Sequence, residues 1–99
     1  MSENVVTMVE GIVPPQTWRA LEDDYTNITK SPPEGILRSY LMQDRGELTL
    51  WRLVTLWQNI ELLRAMQQAN TVPPGIKIFK DLGVEPAVKV FSVKQSLSG

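Results

Sequence analysis

Leu48-Thr49-Leu50-Trp51-Arg52-Leu53-Val54-Thr55-Leu56-Trp57 is the stretch whose reading decides the fold. Successive side chains of a strand point to opposite faces. Leu48, Leu50, Arg52, Val54 and Leu56 therefore share one face, and Thr49, Trp51, Leu53, Thr55 and Trp57 share the other. Both faces are largely apolar, the mark of a strand covered on two sides. Two residues beyond Trp57, Asn59 suits the N-cap of a helix. Ile60, Leu62, Leu63, Met66 and Ala69 then recur at helical spacing, with Glu61, Arg64, Gln67 and Gln68 outward. Pro73-Pro74-Gly75 ends that unit.

Upstream, Gln43-Asp44-Arg45-Gly46-Glu47 reads as a hairpin loop, with Gly46 available for a positive φ. It joins the long strand to an earlier one, Ile36 to Met42, which Gly35 opens. Before that, Trp18, Leu21, Tyr25 and Ile28 form one stripe of a 3.6-residue period. Pro15 is placed to start this helix, and Ser31-Pro32-Pro33 closes it because a residue before proline is pushed out of the helical region. Residues 4–13 are β-branched and nearly all apolar, a first strand. Downstream, 76–83 fits a short helix ended by Gly83, or a strand through Ile76 and Ile78; the helix is the preferred reading. Ala87 to Val93 is the last strand, and the polar tail from Lys94 to Gly99 is expected to fray.

The order β-α-β-β-α-β predicts an α+β, ferredoxin-like unit: a four-stranded antiparallel sheet with two helices on one face. With 99 residues a single domain over 1–99 is expected, its core about residues 4–94. Two helices of this length cover one sheet face, yet the strands are apolar on both. A bare second face would exceed the few hundred Å² of contiguous apolar surface that a soluble monomer tolerates. The simplest lid is a second copy, sheet against sheet, in a two-fold homodimer. A ligand or another protein on that face is the alternative.

Composition closes several function classes. There is no Cys and no His, so disulfides, thiolate metal sites, Ser-His-Asp triads and imidazole ligands cannot be built from this chain. Ten basic against eleven acidic residues, net charge −1, argue against a nucleic-acid binder or a polybasic membrane anchor. Met1-Ser2-Glu3-Asn4 lacks the basic start of a signal peptide, and no apolar run approaches the length of a membrane span, so the expected setting is the cytoplasm. Glu22-Asp23-Asp24 reads as a solvated helix face, since consecutive helical residues diverge.

Three features resemble the antibiotic biosynthesis monooxygenase-like domains of the dimeric α/β-barrel superfamily. Leu56-Trp57-Gln58-Asn59 is similar to that family's strand-end Trp followed by a small helix cap. Leu82-Gly83-Val84-Glu85-Pro86-Ala87-Val88-Lys89-Val90-Phe91-Ser92-Val93 is similar to its closing Gly-Val-Glu-Pro strand, and the order of elements matches. The resemblance implies a homodimer joined through the sheet face, and a pocket between sheet and helices in each subunit with Trp57 in it. The family includes cofactor-free oxygenases of aromatic polyketides, quinol oxygenases and haem-degrading enzymes. The haem-degrading members supply a His from or just after the second helix. Here that stretch holds Gln67 and Gln68, so haem chemistry by that route is not expected.

A deprotonated phenol or anthrone can itself supply electrons to O2, so such an oxygenase needs only a base, anion stabilisation and a dry pocket, with no cofactor. Glu10, inside an apolar strand, is the candidate base; Arg38, Arg52 and Tyr40 are candidates for stabilising an anion. Each has a structural alternative: Glu10 and Arg52 suit an ion pair, and Arg38 and Tyr40 suit a dimer seam. Trp57, Trp51, Leu63 and Met66 are the candidate substrate-binding residues, core packing being the competing reading. Trp18 and Tyr25 read as core. The expected function is cofactor-independent oxygenation of a small aromatic or quinol-like substrate; the alternative is a non-catalytic dimer that binds a small molecule or assists a pathway.

Overall fold

The computed structural model describes residues 4–99; the expectation resting on Met1, Ser2 and Glu3 lies outside them. β1 spans Val5–Ile12, and the Pro14-Pro15 pair turns the chain through one 3-10 turn, Pro15–Thr17, into α1 at Trp18–Lys30. β2 (Ile36–Gln43) and β3 (Leu50–Trp57) form the hairpin, followed by α2 (Ile60–Gln68), α3 (Pro74–Lys80) and β4 (Ala87–Ser92). The sheet order is β2-β3-β1-β4, antiparallel throughout. This is the ferredoxin-like arrangement expected from the order of elements.

Local chemistry accounts for the element boundaries. Asn59 caps α2 by accepting from the Leu62 N–H at 3.3 Å. Pro74 occupies the first turn of α3, where its missing N–H costs nothing, and Gly83 adopts φ +76 just beyond the helix. The ambiguous segment is thus a helix, and Ile78 and Phe79 are buried in it. The hairpin loop differs from expectation. β3 starts at Leu50 rather than Leu48, because Asp44 Oδ2 accepts from the Gly46 and Glu47 N–H groups at 2.9 and 2.8 Å and holds the chain in a tight polar turn. Gly46 is not among the positive-φ residues of the described chain. The side chain of Asp44, not glycine geometry, shapes this turn.

The two helix-bearing halves of the inner sheet face are packed differently. At one end α1 and α3 close over Trp51, with Leu21, Val13 and Phe79 fully buried beside Val9, Leu53, Ile78 and Val84. The Trp18 and Trp51 rings meet at 5.9 Å and 55°. At the other end α2 has no buried residue. Its Leu62 lies against Gly35, where φ is +90 and a Cβ would collide with Leu62 Cδ1. That close approach sets α2 above the sheet and leaves space beneath it.

The outer face carries Val6, Met8, Glu10 and Ile12 of β1, paired with Leu56, Val54, Arg52 and Leu50 of β3. Arg38, Tyr40 and Met42 of β2 and Lys89 and Phe91 of β4 complete it. Ile12, Tyr40, Met42 and Phe91 are each more than 40% exposed here. The face is apolar apart from the paired Glu10 and Arg52 and the separate charges of Arg38 and Lys89. No helix of the described residues is long and apolar enough to cross a membrane.

Candidate functional site

The space under α2 is a pocket of about 210 Å³. Its floor is the inner sheet face, where Thr7 and Val9 of β1, Ser39 of β2, Leu53, Thr55 and Trp57 of β3, and Val88 and Val90 of β4 converge. Tyr25 and Ile28 of α1, Ile60, Leu63, Arg64 and Gln67 of α2, and Pro73 to Ile76 form the walls. Period-2 alternation explains this composition: every second residue of each strand points inward, and most of these are apolar.

Polar groups enter the floor as a row. Ser39 pairs with Thr55 and Thr55 with Thr7 in the strand register, so three hydroxyls lie side by side across β2, β3 and β1. The Ser39 and Thr55 oxygens are 3.5 Å apart, and Thr55 is buried. Trp57, 4% exposed, donates its indole N–H to Thr7 Oγ1 at 2.9 Å. That bond fixes the indole plane at one end of the pocket. Among the described residues, the ionisable ones in the lining are Tyr25 and Arg64.

Of the candidate site residues read from the sequence, Trp57 and Leu63 line this pocket and the others do not; Tyr25, read as core, and Gln67, read as outward, line it as well. Trp51 shares the face of Trp57 but lies under α1 and α3 in the packed end, its indole N–H buried without a partner. Met66 sits half-buried on α2, outside the lining. Glu10, Arg38, Arg52 and Tyr40 stand on the outer face, so the expectation of a pocket carboxylate flanked by guanidinium and phenol groups is corrected. The register is the reason: Glu10 faces Arg52 across β1 and β3, one residue out of phase with the inner residues Val9 and Leu53.

On the outer face these groups pair with one another. Arg52 Nε donates to Glu10 Oε2 at 2.7 Å and Nη1 to Asp44 Oδ1 at 3.5 Å. Arg38 Nη1 approaches the Tyr40 hydroxyl at 3.4 Å. The hydrogen bond that Arg52 donates to Glu10, and then the Glu10 charge, hold the Arg52 guanidinium even more firmly protonated than usual. The N–H donors of Glu47 and Gly46, with Arg52 adding, hold the Asp44 carboxyl below the ordinary carboxylate range.

Sequence reasoning missed Thr7, Ser39, Thr55 and Arg64. A signal was present for Thr55, the polar residue between Leu53 and Trp57 on an otherwise apolar face. Its neighbours in the row follow only from the strand register.

Comparison with solved structures places this geometry. A variant of SnoaB, a cofactor-independent oxygenase from Streptomyces nogalater, superposes with TM-score 0.73 at 14% identity, covering 99% of this chain and 100% of that one. A proposed antibiotic biosynthesis monooxygenase from Deinococcus radiodurans gives 0.71 at 13% identity, over 95% and 96% of the two chains. A heme-degrading protein from Mycobacterium tuberculosis gives 0.70 at 19% identity over 100% of both. No protein-family model matches the sequence, and no curated protein is similar to it in sequence. The likeness is therefore one of architecture: the chain carries the ferredoxin-like α+β fold of the antibiotic biosynthesis monooxygenase-like proteins.

Proposed function

We propose that this protein is a homodimer that holds a small aromatic or quinol-like molecule between sheet and helices and oxygenates it without a cofactor. The pocket carries this reading: a recess walled by apolar side chains, floored by an indole and three hydroxyls, in a fold shared with a cofactor-independent oxygenase. At about 210 Å³ it falls below the ~300 to 1,000 Å³ of drug-sized sites, which favours one or two rings over a four-ring polyketide. Trp57 and Leu63 would flank the ring, and Ser39 and Thr55 would donate to its oxygens. In net chemistry an activated ring CH2, as in an anthrone or the keto tautomer of a quinol, becomes C=O: the substrate gives up four electrons to O2, one oxygen atom enters the carbon and the other leaves as water.

The outer sheet face supports the dimer. A second copy would bury its exposed Ile12, Tyr40, Met42 and Phe91, and Glu10, Arg38 and Arg52 would become polar residues of the seam. Light scattering is expected to give twice 11.2 kDa, and a stable 11.2 kDa species would refute the dimer.

One observation favours a second reading, a dimer that binds its ligand without turning it over: Glu10, the candidate base, is paired with Arg52 on the far side of the sheet. Oxygen uptake with 1,4-dihydroxynaphthalene, anthrone and simple quinols decides between them. The oxygenase predicts uptake above autoxidation, reduced in Trp57→Phe and unchanged within about twofold in Glu10→Gln, which lies outside the pocket. Loss of uptake in Glu10→Gln would restore the carboxylate base. Ligand binding with no uptake from any compound would establish the second reading.

A further inference from the structure

The charge pattern of the pocket goes beyond what oxygenation by itself requires. Among the described residues no carboxylate lines it, and the sequence holds no imidazole. Arg64 is its one cation, on the exposed side of α2, with no hydrogen bond or ion pair among the described residues. Glu61, one turn earlier on the same helix, is not within ion-pair distance of it. Tyr25, the other ionisable residue among the described lining residues, brings a phenol. The result is an apolar recess with an uncompensated positive charge at its wall. Low-dielectric surroundings focus such a field and raise the local concentration of anions.

A neutral phenol entering this pocket would meet no acceptor strong enough to remove its proton. A ligand that arrives ionised needs none, and brings the counter-charge that Arg64 lacks. We infer that the pocket selects a flat one- or two-ring aromatic that is already an anion, a carboxylate or acidic ring hydroxyl, with its charge against Arg64 and its ring between Trp57 and Leu63. The inference rests on the reading of this pocket as a ligand site and holds whether or not the ligand is then oxygenated. Under the oxygenase reading, the case of an ionised ring hydroxyl also supplies what the pocket does not contain: the electron-rich phenolate forms before binding, so no base is needed inside.

Calorimetric titration of the 99-residue protein tests this with two probes of nearly equal shape, 2-hydroxy-1,4-naphthoquinone, ionised at pH 7, and 1,4-naphthoquinone, neutral at any pH. The anion is expected to bind about fivefold more tightly, near the most that an ion pair open to water contributes. The preference should shrink on raising the salt from about 50 to about 500 mM. Acidifying until the hydroxyl is protonated should abolish it. Arg64→Gln should weaken the anion about fivefold and leave the neutral quinone within twofold, while Arg64→Lys keeps most of the preference because the charge remains. Equal binding of both probes, or an Arg64→Gln variant that holds the anion as well as the parent, would overturn the inference and leave the pocket reading intact. Binding of neither probe to folded protein would overturn both.

Discussion

The hydrogen bond from Trp57 to Thr7 organises the pocket floor, and a double-mutant cycle measures it. Thr7→Val keeps the shape of the side chain and removes the acceptor, leaving a buried indole N–H unsatisfied, which costs about 1 to 3 kcal/mol. Thr7 is only half-buried and borders the pocket, so water can partly replace it and the lower half of that range is expected. Trp57→Phe loses the same bond, about 1 kcal/mol, together with ring contacts worth about 1 to 2 kcal/mol. In Thr7→Val/Trp57→Phe no orphaned donor remains. The pair should therefore be less destabilised than the sum of the single variants, by about 1 kcal/mol. For a chain of this length that is a difference of about 4 to 8 °C in Tm. Urea unfolding followed by far-ultraviolet circular dichroism is the assay, since Trp57 itself would alter a fluorescence signal. All four proteins must be compared at one concentration, because self-association adds to apparent stability. Additivity within about 0.3 kcal/mol would show that the two side chains do not interact, and the described floor would be wrong.

Other outcomes follow from the same structure. Phe79→Ala removes a fully buried ring from the packed end and should cost about 3 to 5 kcal/mol, enough to leave much of the protein unfolded in a thermal melt. Gly35→Ala should destabilise by about 1 to 2 kcal/mol through its φ of +90 alone, and should also weaken ligand binding because Leu62 and α2 must shift over the pocket. Equal ligand affinity in parent and variant would separate α2 from the site. Asp44 binds its proton less readily folded than unfolded, so its contribution is complete above the ordinary carboxylate value and is lost as pH falls through the lower folded value. Acid titration should thus show the hairpin loop holding its structure near pH 4 and loosening below, with Asp44→Asn flattening that limb of the stability curve.

How much of the site was legible depended on whether a signal was local. Asn59 as a helix cap and the stripe from Trp18 to Ile28 are local, and they sit where their chemistry predicts, while Pro15 opens the 3-10 turn that leads into α1. Alternation also placed Arg52 and Trp57 on opposite faces of β3, five residues apart, so a single pocket could not use both. Since both faces of β3 are apolar, alternation did not say which one the helices would cover. Glu10 could be assigned to a face only through its pairing with Arg52, a contact between residues 42 positions apart in the chain. β2 adds an irregularity invisible to pattern reading. A shift between Ile36 and Arg38 puts Ile36 with Trp57 on the inner face and Arg38 with Leu56 on the outer one, although two residues apart they would share a face in a regular strand.

The amino-acid sequence by itself determined the elements, their order and a sheet apolar on both sides, because turn chemistry and side-chain periodicity act over a few residues. It also determined what this chain cannot do, since no packing supplies an imidazole or a thiolate that the chain lacks. Tertiary structure alone decided where the pocket opens, that Trp51 is core while Trp57 is floor, and that Thr7, Thr55 and Ser39 meet in one row. Those outcomes depend on strand register and on how far α2 stands from the sheet. Both are set by contacts between distant segments, which no local pattern encodes.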